Sequence, residues 1–184
     1  MANEKAVLMS IRPKWCELIA SGKKTIEVRK TAPKIQTPFK CYIYETQGET
    51  ETPWMDEEGH MIFRGRGRVV GEFVCDNIYD ICIEISKPDD LPGYPFPCTG
   101  LTDKEILKYL GNGRTGYGWH VSDLKIYDKP KALSEFYTWK KCNSCRMSGY
   151  ESSACIYYED CKVPAVVTRP PQSWCYVEEI TDGK

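Results

Sequence analysis

Residues 22–29 of the chain read Gly-Lys-Lys-Thr-Ile-Glu-Val-Arg, a stretch that combines a helix end, a strand and a cluster of charges. Gly22 suits the C-terminal cap of a helix. After it, two apolar residues alternate with two charged ones, which is the period of a half-buried strand. The alternating residues are Ile26, Glu27, Val28 and Arg29. We expect the apolar pair to face a core and the charged pair to share the opposite face.

The flanking sequence predicts two short helices and several strands. Pro13 suits the first position of a helix that ends at Gly22, and a capping box over residues 102–105 opens a second helix through Leu110. The predicted strands are residues 7–11, 25–30, 39–45, 68–79, 119–127 and 173–180, and the predicted loops are residues 46–60, 86–100 and 111–118. This pattern indicates an α+β protein, a mixed β-barrel flanked by short helices.

Composition describes an ordinary globular protein. The 184 residues suit one domain, residues 1–184, with 41% hydrophobic and 28% charged residues. No apolar run reaches the length of a membrane span, and the N-terminus does not resemble a secretion signal, so we expect a cytoplasmic protein that does not enter membranes. The net charge is −1, but residues 1–40 hold nine Lys or Arg against three Glu. A basic segment of this kind can bind phosphate, or it can simply be a solvated surface.

The stretch at residues 22–29 resembles the signature of the ASCH family, a branch of the PUA-like β-barrels. The resemblance extends to Val7–Ser21, Gly67–Phe73 and Trp119–Leu124, and the ending at residues 170–177 is similar to phage and prophage members. It covers most of the chain apart from residues 46–62, 86–117 and 139–168. It implies RNA or nucleotide binding, and it also implies acetylcytidine hydrolysis, which some small bacterial members carry out.

The resemblance gives Lys24 particular interest, because the matching lysine of those hydrolases is catalytic. Thr25, Glu27 or Ser122 would then assist Lys24 in acid–base chemistry. Glu27 departs from the hydrolases, which have a threonine at that position, although Thr25 supplies a hydroxyl two residues earlier. An ion pair of Glu27 with Lys24 or Arg29 would hold the lysine protonated and favour anion binding over nucleophilic catalysis.

A basic cleft at the end of the first helix would bind RNA or a nucleotide through cations and an aromatic ring. Arginine offers a planar fork to phosphate oxygens and lysine a point charge, while bases stack on aromatic faces. The candidate binding residues are Arg12, Lys14, Lys24, Glu27, Arg29, Lys30, Trp119 and Ser122. For Trp15, on the apolar face of the first helix, we favour core packing; for Trp119, beside a glycine-rich loop, we favour a ligand contact.

Four of the ten cysteines lie in one polar segment, residues 139–168. They are Cys142, Cys145, Cys155 and Cys161, with spacing C-x2-C-x9-C-x5-C. Two pairs of thiolates can complete a tetrahedral zinc site, and a segment with so few apolar residues would need the metal to fold. We therefore expect a small insertion resembling a zinc knuckle, with structural zinc; free or redox-active thiols are the alternative.

The sequence thus leaves three functions open. The first is an RNA-binding or nucleotide-binding module. The second is an enzyme, either an acetylcytidine hydrolase or a ribonuclease, that uses Lys24. In the third, the cysteine-rich insertion docks a partner protein.

Overall fold

A computed structural model describes residues 5–55, 59–82, 96–111, 115–141 and 162–180 of the chain. Within these ranges the protein is mixed α+β, mostly strands, with two α-helices, as the sequence predicts. The strands are, in chain order, β1 (Lys5–Ile11), β2 (Ile26–Arg29), β3 (Phe39–Glu45), β4 (Glu49–Met55), β5 (Met61–Arg64), β6 (Arg68–Cys75), β7 (Ile78–Cys82), β8 (Thr115–His120), β9 (Ser122–Lys131), β10 (Tyr137–Lys141), β11 (Lys162–Val166) and β12 (Trp174–Glu178). The helices are α1 (Pro13–Ala20) and α2 (Asp103–Leu110), with short 3-10 helices at Phe96–Thr99 and Leu133–Glu135.

The main sheet has five strands in the order β12-β1-β3-β6-β9, and both of its faces are covered. Only the β1–β3 pair is parallel, which α1 and β2 make possible by crossing between them. Along β1, Val7 and Met9 belong to one core cluster, and Ala6 and Leu8 belong to the other. This strict alternation follows from the two-residue period of a strand, so β1 reads as a continuous apolar run.

A smaller three-stranded sheet, β2-β8-β7, carries α2 on its surface. Val28 of β2, Ile81 of β7, and Ile106 and Leu110 of α2 form a third buried cluster. The predicted capping box at the start of α2 is confirmed: Thr102 Oγ1 accepts from the Glu105 N–H, and the Glu105 carboxylate accepts from the Thr102 N–H. Neither α-helix in the described ranges is long and apolar enough to cross a membrane.

The predicted closed barrel is not what the sheets form. The strands of the described ranges lie in four sheets, because β4–β5 and β10–β11 make two separate ribbons. The main sheet ends at β12 and β9 instead of closing on itself. A closed barrel would require the two edge strands, β12 and β9, to pair with each other. At the β12 edge, the Thr138 hydroxyl of β10 instead donates a hydrogen bond to the Tyr176 carbonyl.

Several local predictions were also wrong. The predicted strand at residues 68–79 is two strands, β6 and β7. The predicted loop at residues 46–60 contains β4, and the predicted strand at residues 119–127 is two strands that meet at Val121. The expected half-buried β2 is buried at all four residues, since α2 packs on Val28 and the Arg29 guanidinium donates to the Ser10 and Ser173 carbonyls. The charged side chains of β2 are therefore interior groups.

Candidate functional site

The turn between α1 and β2 brings Lys24 into the interior of the protein. Gly22 has a φ of +73°, a conformation that side chains disfavour, so glycine allows the chain to reverse there. The N–H of Lys24 then donates to the Leu18 carbonyl at 2.9 Å, and the N–H of Thr25 donates to the Cys98 carbonyl at 2.9 Å. These two bonds fix the chain between the end of α1 and the 3-10 helix at Phe96–Thr99.

Three acceptors surround the ammonium group of Lys24, whose side chain is only 2% exposed. Its Nζ donates to the carbonyls of Ile26 at 2.7 Å and Thr99 at 2.6 Å. It also lies 3.1 Å from Oε2 of Glu27. Burial lowers the pKa of Lys24, and the negative charge of Glu27 acts in the opposite direction. Two carbonyl hydrogen bonds and this ion pair therefore hold the ammonium form, although Oε2 of Glu27 makes no hydrogen bond with a described residue.

Glu27 also binds the second buried cation, Arg29. Oε1 of Glu27 lies 3.0 Å from Nη2 of Arg29, and the same Nη2 donates to the Ser10 carbonyl at 2.9 Å. Nη1 of Arg29 lies 3.4 Å from the Ser173 carbonyl, just before β12. One guanidinium therefore joins β2 to β1 and to the segment preceding β12. Its Nε has no hydrogen-bond partner among the described residues.

A cavity of about 570 Å³ opens beside these three charged residues. Its wall is built by residues from α1, β2, α2 and the segment before β12. The lining residues are Ser10, Arg12, Trp15, Lys24, Glu27, Val28, Arg29, Thr46, Leu101, Glu105, Lys108, Tyr109, Gln172 and Ser173. Four of them are cations and two are carboxylates, so the formal charge of the wall is positive although that of the whole chain is not. We call this cavity the cleft.

Two aromatic rings stand in the cleft wall, and a lysine lies over each. Trp15 of α1 is half-buried, with Lys14 Nζ 4.9 Å from its ring centroid and Lys24 Nζ 5.5 Å from it. Tyr109 of α2 is 38% exposed, with Lys30 Nζ 5.1 Å from its ring centroid. Lys14 and Lys30 are both exposed. The cleft therefore combines two accessible aromatic faces with cations around its rim.

The structure brings together most of the predicted site residues but separates Thr25, Ser122 and Trp119 from the cleft. The predicted residues that line the cleft are Arg12, Lys24, Glu27 and Arg29. Lys14 and Lys30 lie at its rim, over the rings of Trp15 and Tyr109. Thr25 and Ser122 do not line it, and Ser122 instead donates to the Val74 carbonyl at 2.8 Å.

The predicted ligand contact at Trp119 is contradicted by its burial. Trp119 is 0% exposed and packs edge-on against Phe39 with ring centroids 5.7 Å apart, so no base can reach its face. Trp15, for which core packing was expected, is the tryptophan that lines the cleft. The glycine-rich loop suggested an open site, but β8 carries Trp119 under the main sheet.

Sequence reasoning missed the wall that α2 and residues 172–173 contribute. In α2, Lys108 and Tyr109 follow Glu105 by three and four residues. That spacing puts them on one side of a helix, which is the signal that could have found them. Gln172 and Ser173 follow two prolines and carry no comparable signal.

The four cysteines of the predicted zinc site lie outside the described residues. Within the described ranges, no group of three or more His, Cys, Asp or Glu side chains could hold a metal ion. Cys16 of α1 is a buried cysteine, and its Sγ lies 3.7 Å from the Ile11 carbonyl. Burial raises the pKa of this thiol, which disfavours the reactive thiolate form.

Residues 9–88 match the family model of the ASCH domain. This part of the chain is thus similar to an ASCH domain. The matched segment contains Lys24, Glu27 and Arg29, whereas α2 and residues 172–173 of the cleft wall lie beyond it. No curated protein matches the sequence.

Solved structures with the same fold come from Zymomonas mobilis. The crystal structure of its ASCH protein superposes with a TM-score of 0.55 at 16% identity, over 93% of this chain and 86% of that one. A tyrosine-to-phenylalanine variant of it gives a TM-score of 0.55 at 16% identity, over 94% and 90% of the two chains. A serine-to-alanine variant gives 0.56 at 16% identity, over 96% and 90%. At this identity the likeness establishes the ASCH fold, not a shared activity.

The charge network makes a stability prediction. Replacing Lys24 with Met leaves the Glu27 carboxylate buried with one cation fewer and leaves two carbonyls without their donor. We expect the free energy of unfolding, measured by urea denaturation, to fall by about 3 kcal/mol or more. Lys23→Met, at the exposed neighbouring position, is the matched control and should change it by less than about 0.5 kcal/mol. Equal decreases in the two variants would contradict a stabilising role for this network.

Proposed function

We propose that the cleft binds RNA or a nucleotide. The observation that carries this proposal is the joint presence of cationic side chains and two accessible aromatic rings around one cavity. Single-stranded nucleic acid is held by this combination, because cations attract phosphates and aromatic faces stack on bases. A volume of about 570 Å³ also lies in the range of cavities that hold small organic ligands. The ASCH domain supports the proposal further, as a PUA-like fold often linked to RNA binding.

The buried and exposed cations have different roles in this proposal. Lys24 and Arg29 direct their donors to Glu27 and to backbone carbonyls, so they shape the floor of the cleft and make its potential positive. Arg12 and Lys108 are exposed in the cleft wall, so phosphate contacts fall to them. Lys14 and Lys30 extend the basic rim on either side. This revises the expectation that Lys24 and Arg29 touch phosphate themselves.

The proposed base contacts are Trp15 and Tyr109. The two rings belong to α1 and α2, which line the same cavity from different parts of the chain. Gln172, exposed in the same wall, supplies the donor and the acceptor of its amide, polar groups that distinguish one base edge from another. Which base or modified base the cleft prefers depends on these polar groups.

One observation favours the enzymatic alternative, a hydrolase of acetylcytidine or a ribonuclease that uses Lys24. Burial lowers the pKa of Lys24, and a lowered pKa is how lysines become bases or nucleophiles. Its surroundings argue against that role, because three acceptors within 3.1 Å hold the ammonium form and leave no lone pair for attack. Thr25 and Ser122, the other candidate catalytic residues, do not line the cleft. We therefore rank binding above catalysis.

We predict that removing the two exposed cations of the wall weakens RNA binding and its salt dependence. In Arg12→Gln with Lys108→Gln, affinity for a fluorescein-labelled uridine 12-mer, measured by anisotropy, should fall at least about tenfold. The slope of log affinity against log salt should become shallower by about 0.7 for each phosphate that the variant no longer neutralises. Lys125→Gln with Lys129→Gln, which removes two charges from β9, is the control of equal net charge. An unchanged salt slope in the first variant would refute the proposed phosphate contacts.

We predict that the protein does not turn over acetylcytidine or RNA. Incubation with N4-acetylcytidine should release no acetate above a protein-free control, and incubation with a labelled RNA should leave the strand intact. The reason is that two carbonyls and the Glu27 carboxylate hold Lys24 in its ammonium form. Turnover by the wild-type protein that is abolished in Lys24→Met and kept in Lys23→Met would reverse our ranking.

We also propose that Cys142, Cys145, Cys155 and Cys161 bind structural zinc. The support from the described residues is the ribbon β10–β11, in which Lys141 pairs with Lys162. These two residues adjoin Cys142 and Cys161 in the sequence, so the segment that carries the four cysteines starts and ends at one point of the fold. That anchorage suits four thiolates that share one ion. A partner protein that docks on this segment stays a prediction.

The purified protein should therefore contain about one zinc ion per chain. We expect elemental analysis to give this stoichiometry and Cys145→Ser with Cys155→Ser to lose it, because two thiolates bind zinc far more weakly than four. Cys98→Ser, at an exposed cysteine outside the segment, is the control and should retain the metal. Zinc absent from the wild-type protein, or equal in all three, would contradict the proposed site.

A further inference from the structure

The ribbon β10–β11 exposes two aromatic side chains on one face. Tyr137 and Trp139 are two residues apart in β10, so they point to the same side, and each is 44% exposed. Pro164, the partner of Trp139 in β11, is exposed as well. Thr138, between the two rings, points to the opposite side and donates to the Tyr176 carbonyl of β12 at 2.8 Å. The aromatic face therefore points away from the main sheet.

The ribbon is also strongly basic. Its strands, Tyr-Thr-Trp-Lys-Lys and Lys-Val-Pro-Ala-Val, contain three lysines and no acidic residue. The two exposed rings thus belong to a positively charged ribbon. A partner that fits this ribbon is anionic and offers flat apolar surfaces. Single-stranded nucleic acid has both properties, because phosphates alternate with bases that stack on any aromatic face.

The position of the ribbon relative to the cleft adds to this argument. Ser173 lines the cleft, and Tyr176, whose carbonyl holds the ribbon, follows three residues later along β12. Three residues of strand span roughly 10 Å. The anchor of the ribbon and the wall of the cleft therefore lie close together along one strand.

We propose that the face of β10–β11 that carries Tyr137 and Trp139 is a second contact surface for single-stranded nucleic acid, next to the cleft. Bases stack on the two rings, and the positive charge of the ribbon attracts the phosphates beside them. This surface extends the binding proposed for the cleft, but its own evidence is separate from the cleft. It makes the affinity depend on the length of the strand.

The test compares a long and a short ligand on one pair of variants. Tyr137→Ala with Trp139→Ala should weaken binding of a uridine 12-mer at least about tenfold, since each stacked base contributes several-fold or more. The same variant should bind uridine monophosphate as the wild type does, because that ligand occupies only the cleft. Ile126→Ala, which removes a side chain that is 45% exposed on β9 at the other edge of the main sheet, should affect neither ligand. Tyr137→Phe with Trp139→Phe keeps the stacking faces and should bind the 12-mer nearly as the wild type does.

The outcomes separate this surface from the cleft. A 12-mer affinity within twofold of wild type in the alanine variant, or an equally large decrease in the phenylalanine variant, overturns the proposal. In a further outcome, the alanine variant loses 12-mer binding and uridine monophosphate binds neither this variant nor the wild type. That outcome supports the contact surface on the ribbon and refutes nucleotide binding in the cleft. Binding to anionic lipid vesicles that the alanine variant loses, with RNA binding unchanged, identifies a membrane surface instead and also overturns the proposal.

Discussion

The carboxylate of Glu27 lies between two buried cations, and the arrangement of the cleft depends on this contact. An unpaired charge in the interior would cost several kcal/mol, so each of the three side chains is stable there only with the others. Their outer donors bind carbonyls of distant segments, Thr99 through Lys24 and Ser10 through Arg29. These three charged residues lie within residues 24–29. Their bonds hold β2 and the segments that contain Ser10, Thr99 and Ser173 around one cavity. Such a network contributes more to the specific arrangement of these segments than to net stability, because desolvation offsets much of its attraction.

What could be predicted from the sequence was local. The cap at Gly22, the capping box at Thr102 and the pairing of Glu27 with its two cations all involve residues within a few positions of each other. Short-range geometry restricts such contacts strongly, so the residue types are enough to propose them. The two α-helices followed from the same kind of signal, and the basic segment at residues 1–40 supplied three of the four cations of the cleft wall.

What could not be predicted depends on contacts between distant segments. Backbone carbonyls, such as those of Thr99 and Ser173, leave no trace in residue type, so the acceptors for Lys24 and Arg29 could not be named in advance. Trp119 was assigned to the wrong environment for a related reason, and Trp15 packs against the core as expected but also lines the cleft. A tryptophan is compatible with a core and with a ligand surface alike, and only the packing of β8 under the main sheet decides between them. The alternation in β2 predicted an open face that other strands in fact cover.

The lysines over the two cleft rings suggest how the empty and the occupied cleft differ. A cation–π contact at an exposed site contributes about 0.5–1 kcal/mol, whereas stacking of a base on an aromatic side chain contributes roughly 1–3 kcal/mol. In the binding that we propose for the cleft, a base at Trp15 or Tyr109 therefore displaces Lys14 or Lys30 with a net gain. The displaced ammonium stays tethered within reach of the phosphate attached to that base, so the exchange supplies a second attraction. Until then each lysine covers only part of its ring, so both rings stay accessible.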